Sequence, residues 1–579
     1  MLIVGQYGKR TGVTQTDGIM KYGESKAFPW LTADKVPTLG TWLRAAGYST
    51  HYFGKWHLSD PANISLDKFG FDDWELSYPE PHGSLINNLG IYRDPGFVDC
   101  ACTFLNRQGC GVPYTIASAQ SKGLTSTPPW FSVLSLVNPH DIATYPALIG
   151  TAIEQSPFGP LSVPLVNKFA KTPEGGSISI PLNKHNFPQQ NAHNEKTWNE
   201  SLENKPSCQK DYSYKMGFAL SAKNGMKAAS SVLGPDESIV NNKPLLQLAA
   251  DVALKSSVPF ALAAKQEETS ELFIQFYAYL HSLMDAHIKR VLQTLKDSGQ
   301  DKNTIVIFLA DHGEYAASHN MMMEKWHTAY EEIIHVPAVI KLPPSIPANH
   351  DNKGVRIIDS VTSHIDILPT ILGLAGMTSD TIQHISDNFT TSYTIGKDVV
   401  TNFPGVDLSN LVLTLPGNDG AEQVILDRDG TKRKGVLFVT NDEITAPLPG
   451  DTEVDINSEN LFAVYNQIVE TVKLTNPAID LASSSVKQPN NVHCVRSDDN
   501  YKLVKYFDPY NIAADEWEMY DLSIDTHEEV NLLNYQTGQP ISIDVLQSKQ
   551  PLVKLTYDEI QQKSDELKLL LSNLEAQKL

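Results

Sequence analysis

The sequence predicts a large α/β domain followed by a smaller α+β domain. Three short apolar segments, residues 48–53, 130–137 and 305–310, are typical of buried strands, and each is followed directly by polar residues. An amphipathic helix over residues 273–295 leads into the third of them, which is the order expected of an α/β unit. Beyond Gly405 the periodicity changes to short strands. We therefore predict an α/β domain over residues 1–405 and an α+β domain over residues 406–579.

Bulk properties exclude several classes of function. Of the 579 residues 41% are hydrophobic and 20% charged, as in globular proteins, and no apolar run approaches the length of about 20 residues that spans a bilayer. The formal net charge of −21 argues against binding to nucleic acid or to anionic lipid. An anionic small substrate would need a local basic pocket to overcome this field.

Cysteines and the N-terminus leave the compartment undecided. The chain has 5 cysteines, and their spacing matches no zinc-binding pattern. Because the number is odd, at least one thiol is expected to be free. The first ten residues lack the apolar core of a signal peptide.

The first predicted strand ends in a pair of basic side chains. A short helix over residues 37–47, with Pro37 in its first turn and Gly47 as its terminator, precedes the strand over residues 48–53. Lys55 and His57 then follow the strand directly. A lone Lys-x-His is usually a pair of surface residues without a specific function. This pair, however, follows a predicted strand, where a parallel sheet forms its ligand-binding crevice.

The other two strands end in the same way. Residues 130–137 are followed by Asn-Pro and His140, and residues 305–310 by Asp311 and His312. An Asp-His pair at this position suits a metal ion or a polarised substrate, although a solvated loop with a capping Asp explains the pair alone equally well. Lys325 lies one loop beyond the third strand. We expect Lys55, His57, His140, Asp311, His312 and Lys325 to converge on one pocket.

The remaining segments are expected to surround this framework. Residues 142–269 are rich in Pro, Asn and Gln and predict long loops with short helices, inserted over one face. A strand over residues 336–342 and an apolar helix within residues 357–377 are expected to extend and cover the sheet. In the C-terminal part we predict strands over residues 423–426, 436–440 and 501–506 and a helix over residues 557–574.

Taken together, these motifs resemble the sulfatase family of the alkaline phosphatase superfamily. The matching segments are Thr11-Gly-Val, Gly47-Tyr-Ser-Thr-His-Tyr-Phe-Gly-Lys-Trp-His-Leu, Phe69-Gly-Phe-Asp-Asp, Asn138-Pro-His-Asp, Asp311-His-Gly-Glu, Tyr330-Glu-Glu, Val336-Pro, Asp366-Ile-Leu-Pro-Thr, Trp517-Glu-Met-Tyr-Asp-Leu and Glu529-Val-Asn-Leu. Each motif is weak alone, but their order and spacing are specific. The resemblance implies an alkaline phosphatase-like fold, with a large mixed, mostly parallel sheet sandwiched by helices.

The resemblance also implies a metal ion and an anion pocket. By it, Asp311 and His312 are two ligands of one divalent cation, most often Ca²⁺. Lys55 and Lys325 are the lysines that hold the sulfate oxygens. A metal ion and two ammonium groups would neutralise the charge that develops when a sulfate ester is cleaved.

Three histidines are given roles by the same resemblance. His57 would lie beside the covalent nucleophile and help to break down its intermediate. His140 would bind the substrate, a carbohydrate or other small-molecule sulfate ester, and protonate the leaving oxygen. His327, between Lys325 and Tyr330, is expected to face the substrate. Relatives are often periplasmic, secreted or lysosomal.

The chain departs from the family pattern at its start. Sulfatases carry a Cys/Ser-x-Pro-x-Arg motif, whose first residue is oxidised to the formylglycine nucleophile, and an Asp-Asp pair that completes the metal site. By the register of Gly5-Gln-Tyr, the nucleophile is expected about six residues before Met1. We therefore expect the chain as given, an N-terminally truncated form, to be inactive, to bind Ca²⁺ weakly and to have a gap at the centre of its sheet.

Three functions fit these observations. The first is a sulfuric ester hydrolase of the arylsulfatase type that lacks its N-terminal segment. The second is a phosphonate or phosphate ester hydrolase of the same superfamily, which would use a similar site. The third is a non-catalytic relative that binds sulfated ligands. The first is the leading prediction because the basic, metal-type and proton-donating residues all match.

Overall fold

The computed structural model of the chain describes residues 1–21, 25–60, 62–77, 89–111, 127–144, 161–164, 177–180, 189–230, 232, 241–256, 260–263, 265–346, 355–389, 391–413, 424–448 and 456–579. Its strands are β1 Ser49–Gly54, β2 Trp130–Ser135, β3 Leu161–Pro164, β4 Ser177–Ile180, β5 Val306–Leu309, β6 Ala338–Lys341, β7 Gly435–Thr440, β8 Asn491–Ser497, β9 Tyr501–Phe507 and β10 Glu516–Asp521. Its α-helices are α1 Gly8–Thr11, α2 Leu39–Ala45, α3 Gly90–Gly109, α4 Ser207–Ser230, α5 Lys243–Ser256, α6 Gln266–Asp297, α7 Ser318–Met321, α8 Glu331–Ile334, α9 Ile367–Leu374, α10 Ser379–Asp387, α11 Lys397–Val400, α12 Ser409–Leu413, α13 Ile456–Thr475, α14 Ile543–Lys549 and α15 Tyr557–Lys578.

The α/β part contains a parallel pair of strands, as predicted. β1 pairs with β2 from Ser49↔Trp130 to Gly54↔Ser135, so both strands end at the same level. The pairing continues one residue further, since the Lys55 amide donates to the Ser135 carbonyl at 2.9 Å. The carboxyl ends of the first two predicted strands therefore meet at one edge.

The third predicted strand lies across a cavity from this pair. β5 pairs antiparallel with β6, and in the described part of the chain no strand hydrogen bonds join β5 to β2. A cavity of about 2290 Å³ is lined by residues 130–137 on one side and 304–310 on the other. In the described part of the chain the expected continuous sheet is thus represented by two separate strand pairs that flank the cavity.

The strands beside the cavity are less buried than their apolar sequences predict. Every residue of β2 is partly exposed, and Phe308 in β5 is 40% exposed. The two-faced burial expected for residues 305–310 is therefore wrong for this structure. The reason is that these side chains line the cavity instead of packing against a further strand.

Helices predicted from apolar periodicity are present with small shifts of their ends. α2 begins after Thr38, whose hydroxyl accepts the Thr41 amide at 3.2 Å, and α6 extends the predicted helix at its N-terminal end. Phe273, Phe276 and Leu280 of α6 pack in one hydrophobic cluster. α9 lies within the segment expected to cover the sheet.

The segment 142–269 is more helical than its composition predicts. Instead of loops with short helices, its described part contains α4 with 24 residues and α5 with 14. These helices pack through small side chains, including Ala222 and Ala253, which give no large-residue periodicity. A Cβ on Gly225 would lie 2.1 Å from the Ala249 carbonyl oxygen, so the contact requires glycine.

The C-terminal part is built on a four-stranded antiparallel sheet in the order β10-β9-β8-β7. β7 and β9 match predicted strands, whereas β8 and β10 were not predicted. β10 carries the buried Glu518, which accepts hydrogen bonds from Tyr506 at 2.6 Å and Tyr520 at 2.7 Å. The strand predicted over residues 423–426 is reduced to a single bridge at Leu426, and residue 423 lies outside the described residues.

One hydrophobic cluster includes residues from both predicted domains, among them Tyr212, Tyr465 and Tyr520. α15 packs over β7, β8 and β9 and has a capping box at Thr556 and Glu559. The division at residue 405 stays a prediction from sequence.

The structure also bears on the cysteines and on membrane-spanning helices. All 5 cysteines are free thiols. No helix in the ranges given above is long and apolar enough to cross a membrane.

Candidate active site

Lys55 and His57 are placed by the tight end of β1. Gly54 has φ +103, and a Cβ there would lie 1.9 Å from the Ser135 carbonyl oxygen, so glycine is needed where the strand leaves the sheet. The Lys55 carbonyl accepts the Tyr52 hydroxyl at 2.8 Å. His57 has a positive φ of 52, and its ring centroid lies 6.1 Å from that of Trp30. Both side chains line the cavity.

The backbone around His140 is held by two buried aspartates. Asp94, on α3, accepts the amide of Val137 at 2.7 Å and that of Asn138 at 3.0 Å. Asp141 in turn accepts the first two amides of α3, from residues 90 and 91, at 2.7 and 2.8 Å. Burial raises the pKa of Asp94 to about 7 and that of Asp141 to about 6. The sequence analysis missed Asp94 because its partners lie 43 and 44 positions away.

Asp311 and His312 lie at the end of β5, on the cavity wall. His312 Nδ1 is 2.8 Å from the Gly313 carbonyl, which can only accept, so this nitrogen carries the proton. The other ring nitrogen, Nε2, lies 3.4 Å from Asp311 Oδ2. Burial lowers the pKa of His312 to about 4. At neutral pH the two side chains therefore present a nitrogen lone pair and a carboxylate oxygen to each other.

Lys325 reaches the cavity from the loop that follows. Its Nζ lies 3.5 Å from Glu324 Oε2 and 4.6 Å from the ring centroid of Trp326. The side chain is 15% exposed. A cation in this position is held by one carboxylate and one aromatic face while remaining open to the cavity.

The six residues share one electrostatic environment. The pKa of His140 lies well below its usual value, chiefly because of the positive charge of Lys55, with burial, Lys325, His312 and His57 also lowering it. The Asp311 side chain is 72% exposed to the cavity. Desolvation by the cavity walls would raise its pKa, but the charges of His312, Lys55 and Lys325 outweigh this and lower the pKa to about 2. The predicted convergence of the three strand ends is thus observed.

The chain is similar to known proteins of one family. The sequence model of the family described as Sulfatase matches residues 1–377, more than half of the chain. This chain belongs to the sulfatase family. The match covers each of the six cavity residues.

Curated sulfatases share shorter segments with the chain. An "Endo-4-O-sulfatase" of Bacteroides thetaiotaomicron is 34% identical over 104 residues, which is 18% of this chain and 19% of that protein. An "Arylsulfatase" of Volvox carteri is 37% identical over 130 residues, 22% of this chain and 19% of that protein. The matches thus span about a fifth of the curated relatives' length.

Solved sulfatase structures resemble the whole chain in fold. The structure of BT1596, a 2-O GAG sulfatase, has a TM-score of 0.50 at 18% identity, covering 100% of this chain and 81% of that one. BT4656, solved with its substrate D-glucosamine-2-N,6-O-disulfate, has a TM-score of 0.50 at 17% identity, covering 100% of this chain and 87% of that one. The α/β fold expected from the resemblance is confirmed.

The Asp311–His312 pair fits part of a sulfatase metal site. Sulfatases generally use a divalent cation. Two unprotonated acceptor atoms 3.4 Å apart are close enough to bind the same cation. Within the described ranges, however, no group of three or more His, Cys, Asp or Glu side chains is placed to hold a metal ion. The pair therefore offers two donor atoms, whereas a hard divalent cation needs further ligands.

His327 is the one predicted site residue that the structure places elsewhere. Its side chain is 1% exposed, and its Nδ1 donates to the Asn490 carbonyl at 2.9 Å. The ring packs edge-on against Tyr212, at 5.3 Å between centroids, and it does not line the cavity. The expectation that His327 faces the substrate is therefore wrong for this structure. Proximity to Lys325 in sequence was misleading because the backbone turns through positive φ at Glu324 and again at His327.

Proposed function

We propose that this protein is a sulfuric ester hydrolase whose substrate is a small-molecule or carbohydrate sulfate ester. The observation that carries the proposal is that Lys55, Lys325 and His140 line the same cavity as the Asp311–His312 pair. Two ammonium groups provide the local basic pocket that an anion needs in a chain of net charge −21. The names of the relatives, which include an endo-4-O-sulfatase and arylsulfatases, support this substrate class.

Each residue has a distinct task in the proposed reaction. Lys55 and Lys325 bind the non-bridging sulfate oxygens and stabilise the charge that develops on them. His140 donates a proton to the leaving oxygen. Because Lys55 and Lys325 depress its pKa in the free chain, His140 is neutral until an anion offsets their charge. Binding of a sulfate group would thus raise the pKa of His140 and prepare it as an acid. His57, on the same strand end as Lys55, assists the breakdown of the covalent intermediate.

The metal ion is proposed to be Ca²⁺, held by Asp311 and His312 together with ligands from outside the pair. When bound, it would neutralise charge on the sulfate group. Hard divalent ions prefer six or more oxygen-rich donors. We therefore expect the 579-residue chain to bind Ca²⁺ with a Kd weaker than about 1 mM. Calorimetric titration of the chelator-treated protein measures this affinity.

Two variants calibrate the calcium measurement. Asp311→Asn should abolish the remaining heat, whereas Asp544→Asn, at an exposed position on α14, should leave it unchanged. Micromolar binding by the wild-type chain would contradict the two-donor site, and unchanged binding in Asp311→Asn would move the site elsewhere.

The nucleophile is proposed to be a formylglycine from the Cys/Ser-x-Pro-x-Arg motif, which does not occur in the 579 residues. Covalent catalysis needs such a group, so protein starting at Met1 is expected to give no burst of product from an aryl sulfate. The test follows product release from an aryl sulfate by the purified 579-residue protein, with and without chelator. Chelator-sensitive turnover by the 579-residue form would mean that another residue acts as the nucleophile.

Assays of a form that carries the nucleophile also decide between ester classes. A sulfatase should hydrolyse an aryl sulfate faster than an aryl phosphonate at equal concentration, and the reverse order would favour the phosphonate hydrolase alternative. Binding of a sulfated sugar without turnover of either ester would favour the non-catalytic alternative.

A further inference from the structure

The loop that carries Lys325, residues 316–327, has a strained backbone. Seven of its non-glycine residues have positive φ: Ala316, Ala317, His319, Asn320, Met321, Glu324 and His327. Each such conformation costs roughly 1–3 kcal/mol and persists only where the surroundings impose it. Contacts with the rest of the fold must therefore hold these residues in their strained conformation. Residues 316–327 are called the Lys325 loop below.

His319 lies between two carboxylates. Its Nδ1 is 3.0 Å from Glu200 Oε2, and its Nε2 is 3.2 Å from Glu332 Oε2. The ring is fully buried and stacks on Tyr330 at 3.6 Å with an interplanar angle of 9°. An ionised carboxylate only accepts hydrogen bonds, so both ring nitrogens must donate for both contacts to form. The geometry therefore requires an imidazolium.

The carboxylates on either side belong to two separate parts of the fold. Glu332 lies on α8, in the Tyr-Glu-Glu motif, whereas Glu200 lies in the segment 142–269 to which the sequence assigned no role. Glu200 is in turn paired with Lys205 at 3.1 Å. The contact with this segment is reinforced by the backbone, since the His319 amide donates to Thr197 Oγ1 at 3.2 Å and the Asn320 amide to the Thr197 carbonyl at 3.1 Å.

We propose that His319 is a positioning residue, whose imidazolium ties the Lys325 loop to Glu200 and Glu332 and so holds Lys325 at the cavity. The role of Lys325 as a sulfate contact rests on the proposed function, whereas the tie itself does not. On this proposal the part of the segment 142–269 around Glu200 is a brace for the active-site loop.

The tie has a defined pH dependence. Burial lowers the pKa of His319, but the two carboxylates outweigh it and raise the pKa from 6.5 to about 9. Because the folded-state pKa is raised, the tie is complete below the unfolded value of 6.5 and is lost as the pH rises through about 9. The charged and titratable groups around it are Glu200, Glu332, Lys205, Lys502 and the ring of Tyr330.

Acylation of lysines measures the tie without any need for turnover. The protein is treated briefly with acetic anhydride, and the rate at Lys325, which is 15% exposed, is divided by the rate at Lys265, which is 71% exposed. In the wild-type chain this ratio should be low at about pH 7 and rise through about pH 9. In His319→Gln it should be about tenfold higher at about pH 7 and independent of pH, since local opening exposes the loop.

Two variants and one internal reference separate positioning from general destabilisation. His335→Gln removes another His–Glu pair, at 3.1 Å on the end of α8, and should behave as wild type. Glu200→Gln keeps the shape of the side chain but removes one negative charge. The rise of the acylation ratio should therefore move to lower pH. This variant tests the tie even if His319→Gln does not fold. Lys55, which lines the same cavity from β1, should keep its rate.

Three results would overturn the proposal. They are a wild-type ratio that stays flat through about pH 9, a ratio in His319→Gln equal to that of wild type, and an equal rise at Lys55. None of these outcomes depends on sulfate hydrolysis. If a form that carries the nucleophile hydrolysed no sulfate ester, the proposed function would be refuted and the tie would still stand.

Discussion

In an active form of the enzyme, replacing Lys325 or Lys55 with alanine is expected to lower kcat by about a hundred- to a thousandfold. Loss of one charge-stabilising contact in a site shielded from water typically costs about 3 to 4 kcal/mol of transition-state stabilisation. Both lysines depress the pKa of His140, which indicates that their charges act at the same point of the cavity. Steady-state hydrolysis of an aryl sulfate measures the effect.

The division between kcat and KM distinguishes catalysis from simple anion binding. If the lysines contact the sulfate more strongly in the transition state, kcat falls, whereas uniform binding would raise KM alone. Lys265→Ala provides the matched control, because that lysine is exposed. The structure gives it a surface salt bridge to Glu268, at 2.7 Å. Wild-type turnover in Lys55→Ala or Lys325→Ala would show that the lysine is surface charge.

Arg433→Ala is expected to destabilise the protein by about 3 to 5 kcal/mol, because breaking a buried ion pair leaves an uncompensated charge. Arg433 donates to Asp366 through both terminal nitrogens, at 2.8 and 3.0 Å, and the side chains are 2% and 1% exposed. Asp366 also accepts the amides of Ser363 and Val406, each at 2.9 Å. The pair thus joins the segment before α9 to the approach to β7.

Urea unfolding of the Arg433→Ala variant, followed by circular dichroism, measures this loss. The neighbouring Lys432 forms an exposed pair with Asp498 at 3.4 Å, so Lys432→Ala should cost no more than about 1 kcal/mol. A double variant with Arg433→Met and Asp366→Leu should recover part of the loss, since it leaves no buried charge unpaired. Equal unfolding midpoints for Arg433→Ala and Lys432→Ala would contradict the importance of burial.

Sequence reasoning predicted which side chains line one cavity because strand ends are local features. Lys55, His140 and Asp311 each lie within a few residues of the end of an apolar segment, although β5, before Asp311, pairs with β6 and not with β1 or β2 in the described residues. It failed for α4 and α5 because helices that pack through alanine and glycine carry no large apolar stripe. It also failed for β10, whose Glu518 is buried only because tyrosine hydroxyls surround it.

Short motifs and their order were enough to predict the family, the α/β class and six residues that line one cavity, among them Lys325. The contacts that hold these residues in place depend on the tertiary structure. Asp94 meets the amide of Val137 from 43 positions away, His319 meets Glu200 from 119, and His327 is turned into the core by a carbonyl 163 positions away. Contacts of this kind depend on how distant segments pack, and no local pattern of residues encodes them.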